Sequence, residues 1–255
     1  MLRCQAAQEK EHSFFVTPRR DASTEITPST QECYTDTMGD GVRYPPEQIR
    51  DGLHRRVFYF AGVLGPRFQH AFLRSFFALK YKHTDPWSFD ATPYQVKHFA
   101  NTLALIPKRP YRRALEIGCG EGTFSLRLLQ EREVLEFIGV DISPHAIQRA
   151  TARCTFFRQA RFCVQNILRA QPPGPFDLIV IAETLYYLGD TVSFLAETVA
   201  RLLYPKGILV LVDPWPDAGA LHAHFVQHAS LTRLQEAVQE DRLRPFCVST
   251  LQRTP

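Results

Sequence analysis

The stretch "ALEIGCGEGTF" sets a carboxylate, Glu116, two residues before the first of three glycines at 118, 120 and 122. An apolar run precedes them and "SLRLL" follows, the strand, tight loop and helix of a nucleotide site in a doubly wound sheet. Counted from Gly118, the dinucleotide pattern G-x-G-x-x-G would need a third glycine where Thr123 stands. The spacing is instead E-x-G-x-G-x-G. A carboxylate repels a pyrophosphate by about 4 kcal/mol for unit charges about 4 Å apart at an effective dielectric of about 20. It attracts a cationic ligand. S-adenosyl-L-methionine, with an ammonium and a sulfonium, meets that condition, and glycines let the backbone approach it closely. The loop predicts a methyl donor rather than a dinucleotide.

Other residues fall at the strand ends that such a site uses. Asp141 ends the second strand, where a carboxylate accepts hydrogen bonds from ribose hydroxyls. Its competing role is an acid at the start of the helix that Ser143 and Pro144 begin. Asn166 ends the third strand and would meet an adenine edge, unless it serves only as turn chemistry. Methyl transfer from a sulfonium is an in-line displacement that needs alignment and no covalent nucleophile. An amine acceptor additionally needs a group to orient it or receive its proton. Glu183, at the carboxyl end of the fourth strand, is placed for that role beside the donor, with Tyr186 and Tyr187 as a wall against a sugar face. The alternative is a capped turn with both rings packed on the sheet. His222 is a further catalytic candidate, although it and His224, two apart on a helix, cannot both face one pocket, and such histidines are often solvated.

The elements that would position these residues follow a regular order. A helix is predicted from Tyr94 to Leu105, then strands at Ala114 to Ile117, "EFIGVD", "ARFCVQN", "FDLIVIA" and "GILVLVD". Helices separate them at Thr123 to Gln130, Ser143 to Arg153 and Thr191 to Leu203, the second with Ser143 as N-cap and Pro144 at its first position. Continuously apolar strands alternating with helices predict an α/β fold, doubly wound around a mostly parallel sheet covered on both faces. Past the fifth strand only "RPFCVSTLQR" reads as a strand, so the sheet's last pair is expected to be shortened or to lack a member.

Ahead of that domain, assigned to residues 93–255, two segments differ in character. Residues 1–45 are rich in Thr, Ser, Glu, Gln and Pro without a sustained period, and read as a flexible leader. Residues 46–92 form a basic, aromatic extension: from Gly52 to Thr84 there is no acid, while Arg55, Arg56, Arg67, Arg74, Lys80 and Lys82 alternate with aromatics. Phe68, Phe72, Phe76 and Leu79 make a helical stripe expected to pack on the main domain as a lid. Peripheral membrane contact through 52–84 is the alternative use of that surface.

The 255 residues carry 30 Lys plus Arg against 26 Asp plus Glu, a net charge of +4 that is too slight and too dispersed to argue for nucleic acid. The six cysteines show no C-x-x-C pair, so neither a metal site nor a disulfide framework is expected. With no apolar run near the roughly 18 residues of a membrane span, the sequence predicts a cytoplasmic protein, monomer or homodimer, with a small-molecule or oligosaccharide acceptor. "DPWP" at Asp213 to Pro216 imitates a segment of nucleobase methylating enzymes, but it follows the fifth strand, where that motif belongs after the fourth.

In order and spacing, "LEIGCGEG", "GVDIS", "FDLIVIAETLYYLGD" and "LLYPKGILVLVD" resemble the class I, Rossmann-like S-adenosylmethionine-dependent methyltransferases. "DPWSFDATPYQVKH" and "AETLYYL" narrow the resemblance to the NodS-type family, the rhizobial nodulation N-methyltransferases, over about residues 85–250. The resemblance implies methyl transfer to the amine of a de-acetylated glucosamine unit in a chito-oligosaccharide. It further implies Glu116, Gly118 and Gly120 at the donor's methionine end, Asp141 with Ile142 at its ribose, and Asn166 with Ile167 at its adenine. Trp87, Tyr94 and Lys97 would cover the donor from outside. Asn166 stands where the superfamily commonly has an acid. A small-molecule O-methyltransferase shares the same donor motifs, and a non-catalytic donor-binding module is the alternative outside enzymes.

Overall fold

A computed structural model of the chain describes residues 57–58, 63–89, 92–240 and 244–255; the leader expected over 1–45, together with Arg55 and Arg56, lies outside them. Seven strands form one sheet in the order β3-β2-β1-β4-β5-β7-β6. The first five, β1 (Tyr111–Ile117), β2 (Val134–Asp141), β3 (Ala160–Val164), β4 (Phe176–Ala182) and β5 (Leu203–Pro214), pair in parallel. β6 (Leu231–Gln239) and β7 (Phe246–Arg253) close the sheet antiparallel. Chain order reverses between β1 and β4, and the crevice beyond the carboxyl ends of such a pair is where open α/β sheets bind ligands.

The central strands are buried on both faces because helices cover both. Leu115, Ile117, Ile179, Ile181, Leu209 and Leu211 point into one layer and Ala114, Leu178, Val180, Ile208 and Val210 into the other. The covering helices are α2 (Pro93–Ala104), α3 (Thr123–Glu131), α4 (Pro144–Arg153), α5 (Val192–Leu202) and α6 (Asp217–Val226), preceded by α1 (Pro66–Lys80). Thr92 caps α2 by accepting from the Gln95 amide, and Ser143 caps α4 by accepting from the Ala146 amide at 3.3 Å.

Two expectations need correcting. The antiparallel edge is complete: β6 is a full strand, hidden in the sequence because "LTRLQEAVQ" is exposed along nearly its whole length and so lacks the apolar alternation that marks a strand. Charged residues on an outer strand are also what protects it from edge-to-edge pairing. The stripe of α1 is rotated from its expected line. Leu73 and Gln69 are its buried positions, while Phe68 and Leu79 are 49% and 64% exposed. Gln69 Nε2 donates to the Leu188 carbonyl at 2.7 Å, which turns that side inward, and Phe72, Phe76 and Phe77 flank it against Phe58 and Tyr187. Among the described residues no helix is long and apolar enough to cross a membrane.

Candidate active site

The first strand brings Glu116 to the crevice as its last residue but one, 3% exposed, and Ser125 of α3 donates to its carboxylate at 2.5 Å. Burial pushes its pKa up to about 8; the Ser125 bond opposes this and the Asp141 carboxylate adds to it. The turn that follows requires glycine. Gly118 has φ 76°, and a Cβ there would stand 2.2 Å from Thr184 Oγ1; Gly120 has φ 53°, with the Tyr81 hydroxyl 3.0 Å from where its Cβ would be. Left-handed backbone costs an L-residue roughly 1–2 kcal/mol before any clash. Gly118→Ala is therefore expected to lower stability by about 2 kcal/mol or more, because Thr184 holds the Ala182 carbonyl at 2.9 Å and is too short to swing aside. Denaturant unfolding reads this directly, and an unchanged midpoint would mean the loop accommodates a side chain.

Asp141 ends β2 with both oxygens engaged: Oδ2 accepts from the Gly120 amide at 3.1 Å and Oδ1 from the Ser143 amide at 2.8 Å. It thus ties the glycine loop to the start of α4, the helix-start role weighed from sequence, while also lining the pocket. Burial raises its pKa to about 6 against these amides. Ile142, Asn166 and Ile167 line the same wall. The Asn166 amide lies 2.9 Å from His70 Nδ1 of α1, and its oxygen accepts from the Leu168 amide at 2.9 Å.

Residues 81–89, the described part of the segment crossing from α1 to α2, give Tyr81, Trp87 and Phe89 to the pocket lining. Trp87 and Tyr94 line the pocket, with Trp87 Nε1 3.4 Å from the Tyr81 hydroxyl and Tyr94 donating to the Arg244 carbonyl at 2.9 Å. Lys97 does not belong with them: it projects from the exposed side of α2, one helical step away from the buried Gln95, His98 and Phe99. Sequence reasoning missed what anchors this segment. Glu121, 5% exposed inside the glycine loop, accepts from the Asp85 amide at 3.0 Å and pairs with Arg149, which also donates to the His83 carbonyl at 2.9 Å. Tyr81 was missed as well. It is 5% exposed, and burial together with the Asp141 charge raises its pKa.

At the other end of the crevice Glu183 follows β4 with φ 51°, a left-handed conformation that non-glycine residues adopt at a cost and that clusters at functional sites. Its carboxylate accepts from the Tyr186 hydroxyl at 3.3 Å, and the Tyr186 and Tyr187 hydroxyls are 3.4 Å apart. Burial, then the neighbouring Tyr187 and Glu183, pushes the Tyr186 pKa well up, so the phenol keeps its proton. His222 is not in this pocket. It lies 2% exposed behind it, Nε2 3.2 Å from Asp213 and Nδ1 2.8 Å from Ser249. Burial lowers its pKa to about 4 and raises that of Asp213, so the two share a neutral hydrogen bond rather than an ion pair. A position four residues from Ala218 and three from Phe225, both buried, turns it to the sheet rather than to the crevice.

Among the described residues lining the pocket, Glu116, Glu121, Asp141, Glu183 and Asp217 are acidic, and His98 and Arg244 are basic. Aromatic rings from α1, the crossing segment and the "ETLYY" turn make up much of the remaining wall. Among the described residues, no group of His, Cys, Asp and Glu is arranged to hold a metal ion.

Residues 109–250 match the model of a methyltransferase domain family. Nodulation protein S of Rhizobium tropici is 36% identical over 129 residues, 49% of this chain and 53% of that protein. Nodulation protein S of Sinorhizobium fredii is 32% identical over 129 residues, 49% of this chain and 59% of that protein. The chain thus spans little more than half the length of these curated relatives. The crystal structure of the N-methyltransferase NodS from Bradyrhizobium japonicum WM9 with S-adenosyl-l-homocysteine superposes with a TM-score of 0.63 at 23% identity, over 69% of this chain and 95% of that one.

Proposed function

Because the chain belongs to the methyltransferase domain family, we propose that it transfers a methyl group from S-adenosyl-L-methionine to the amine of a small acceptor, an amino sugar or oligosaccharide. The residues fit that donor. Glu116 is a buried acid whose nearest influences are Ser125 and another acid, Asp141, which favours a cation beside it, and a Cβ at Gly118 would fill the cradle. Glu116 and the glycine backbone would hold the methionine end, Asp141 the ribose, and Asn166 and Ile167 the adenine. When bound, the donor supplies an electrophilic methyl on a sulfonium.

The chain's own contribution is alignment and desolvation. The aromatic wall excludes water from the line of attack, and the crossing segment, held by Glu121, covers it. Glu183, fixed by Tyr186, would orient the acceptor's nitrogen. The observation that carries the amine reading is the sign of charge around Glu183: a carboxylate acceptor would meet acids there, whereas an amine or its ammonium is attracted. Glu183→Gln is expected to lower transfer to an amino-sugar acceptor about tenfold or more while leaving S-adenosylhomocysteine affinity within twofold, since it removes one charge-assisted hydrogen bond at the acceptor alone. The deciding experiment is a labelled-donor screen of amino sugars, hydroxylated compounds and carboxylic acids; methyl incorporation confined to oxygen would overturn the amine reading, and failure to bind donor product in calorimetry would overturn the enzyme reading.

A further inference from the structure

One buried polar side chain in the crevice has no role so far. His98, on the inner face of α2, is 2% exposed and lines the pocket, yet neither ring nitrogen makes a hydrogen bond. Buried imidazole nitrogens ordinarily find partners, since leaving one unsatisfied costs about 1–3 kcal/mol. Its Nε2 stands 3.3 Å from Glu183 Oε1, close enough for attraction without hydrogen-bond alignment. The ring is held from behind: Phe246 of β7 packs on it at 4.2 Å between centroids, Phe99 meets it edge-on at 5.7 Å and Tyr94 flanks it at 5.8 Å. The structure thus sets an imidazole with unpartnered nitrogens beside Glu183, whose backbone is left-handed, at the switch point of the sheet.

We infer that His98 is the catalytic base of the reaction proposed above, receiving the acceptor's ammonium proton while Glu183 holds the nitrogen in line. The inference rests on the amine reading. An alkyl amine reaches the site largely as R–NH3+, which has no lone pair to attack. Transfer of one N–H proton to a ring nitrogen of His98 yields R–NH2 and an imidazolium, which the Glu183 carboxylate stabilises. The nitrogen lone pair then forms the N–CH3 bond as the methyl–sulfur bond breaks, and that bond's electrons neutralise the sulfonium to a thioether. The products are R–NH2+–CH3 and S-adenosylhomocysteine, and the imidazolium releases its proton to water when they leave. Proton and charge balance without a further reactant.

Among the described residues, the charged and titratable groups around the imidazole are Glu183, with Tyr186 bonded to the same carboxylate and Asp213 close enough to feel its charge, Tyr94 of its own helix with Arg244 beyond it, and Asp217 in the same pocket lining; Phe246 and Phe99 contribute none. The test compares the full chain with His98→Gln, using glucosamine and a chito-oligosaccharide bearing one free amine. At pH 7 the variant is expected to lose about tenfold in transfer, the factor set by the minority of these amines already free in solution at that pH, with S-adenosylhomocysteine affinity within twofold of wild type. At pH 9, where these amines are largely deprotonated in solution, the loss is expected to shrink to within twofold. An equal loss at both pH values, a loss matched by lost donor affinity, or transfer within threefold of wild type at pH 7 would each overturn the assignment. Wild-type binding of donor product without transfer to either amine would instead overturn the amine reading, and this assignment with it.

Discussion

Asp141→Ala is expected to weaken S-adenosylhomocysteine binding about a thousandfold. The carboxylate's two oxygens each hold a backbone amide, Gly120 at 3.1 Å and Ser143 at 2.8 Å, and so fix the loop on one side of the donor against the helix start on the other. In the proposed complex the same group receives the ribose hydroxyls, and hydrogen bonds to a charged group contribute roughly 1.5–3 kcal/mol each. Truncation removes the ribose contacts and leaves two amides without their acceptor, so a loss near 4 kcal/mol of binding follows, with a lower unfolding midpoint besides. Asp141→Asn keeps one oxygen and is expected to fall between the two. Calorimetry on the three proteins decides the matter: a dissociation constant within threefold for the alanine variant would remove Asp141 from the donor site.

The second large effect concerns pH. Glu116 holds its proton in the fold up to about pH 8, well above the ordinary 4.5. Between those values the unfolded chain has released a proton that the folded protein retains, so stability falls as pH rises, by up to about 1.4 kcal/mol per unit. Across the window this single carboxyl accounts for a decline of about 5 kcal/mol, and Asp141, raised to about 6, steepens its lower part. Glu116→Gln is expected to flatten the decline and to be more stable than wild type near pH 8. Donor binding has the opposite slope. A cationic methionine end favours the ionised carboxylate, so binding expels the proton and S-adenosylhomocysteine affinity should climb up to tenfold per pH unit between pH 6 and 8 in wild type, and stay flat in the variant. Denaturant unfolding and calorimetry across pH 5–8 read both; parallel slopes in the two proteins would mean Glu116 is not the titrating group.

The residues proposed to hold the donor stand out in the sequence because they are written in local spacing, and the structure brings Glu116, Gly118, Gly120, Asp141, Ile142, Asn166 and Ile167 to one pocket. Glu116 and the glycines lie together at one turn, Asp141 ends β2, and Ile142, Asn166 and Glu183 each follow within two residues of a strand's end. Residues whose role depends on contacts across the chain do not stand out. Tyr81 lies nearly forty positions before the loop it touches, Glu121 looks like any loop acid until Arg149 and Asp85 meet it, and His98 reads as one more polar residue of an amphipathic helix. His222 misled for the complementary reason. Its neighbours in sequence are mixed, and only the approach of β5 and β7, bringing Asp213 and Ser249, accounts for its burial. The edge strand β6 was lost because an exposed outer strand carries no hydrophobic period.

The tie between Glu121 and the crossing segment has an evolutionary corollary. Glu121 grips Asp85 through its main-chain amide, and Arg149 grips His83 through its carbonyl. Neither bond reads a side chain of the segment it restrains. Substitutions at 83–89 therefore leave these two ties in place, although Asp85 also accepts from the Phe89 amide at 2.6 Å and Trp87 meets the Tyr81 hydroxyl at 3.4 Å, whereas loss of Glu121 or Arg149 would remove the ties whatever the strap's sequence. Substitutions in the strap can therefore reshape the wall that Trp87 and Phe89 give the pocket while the glycine turn stays constant.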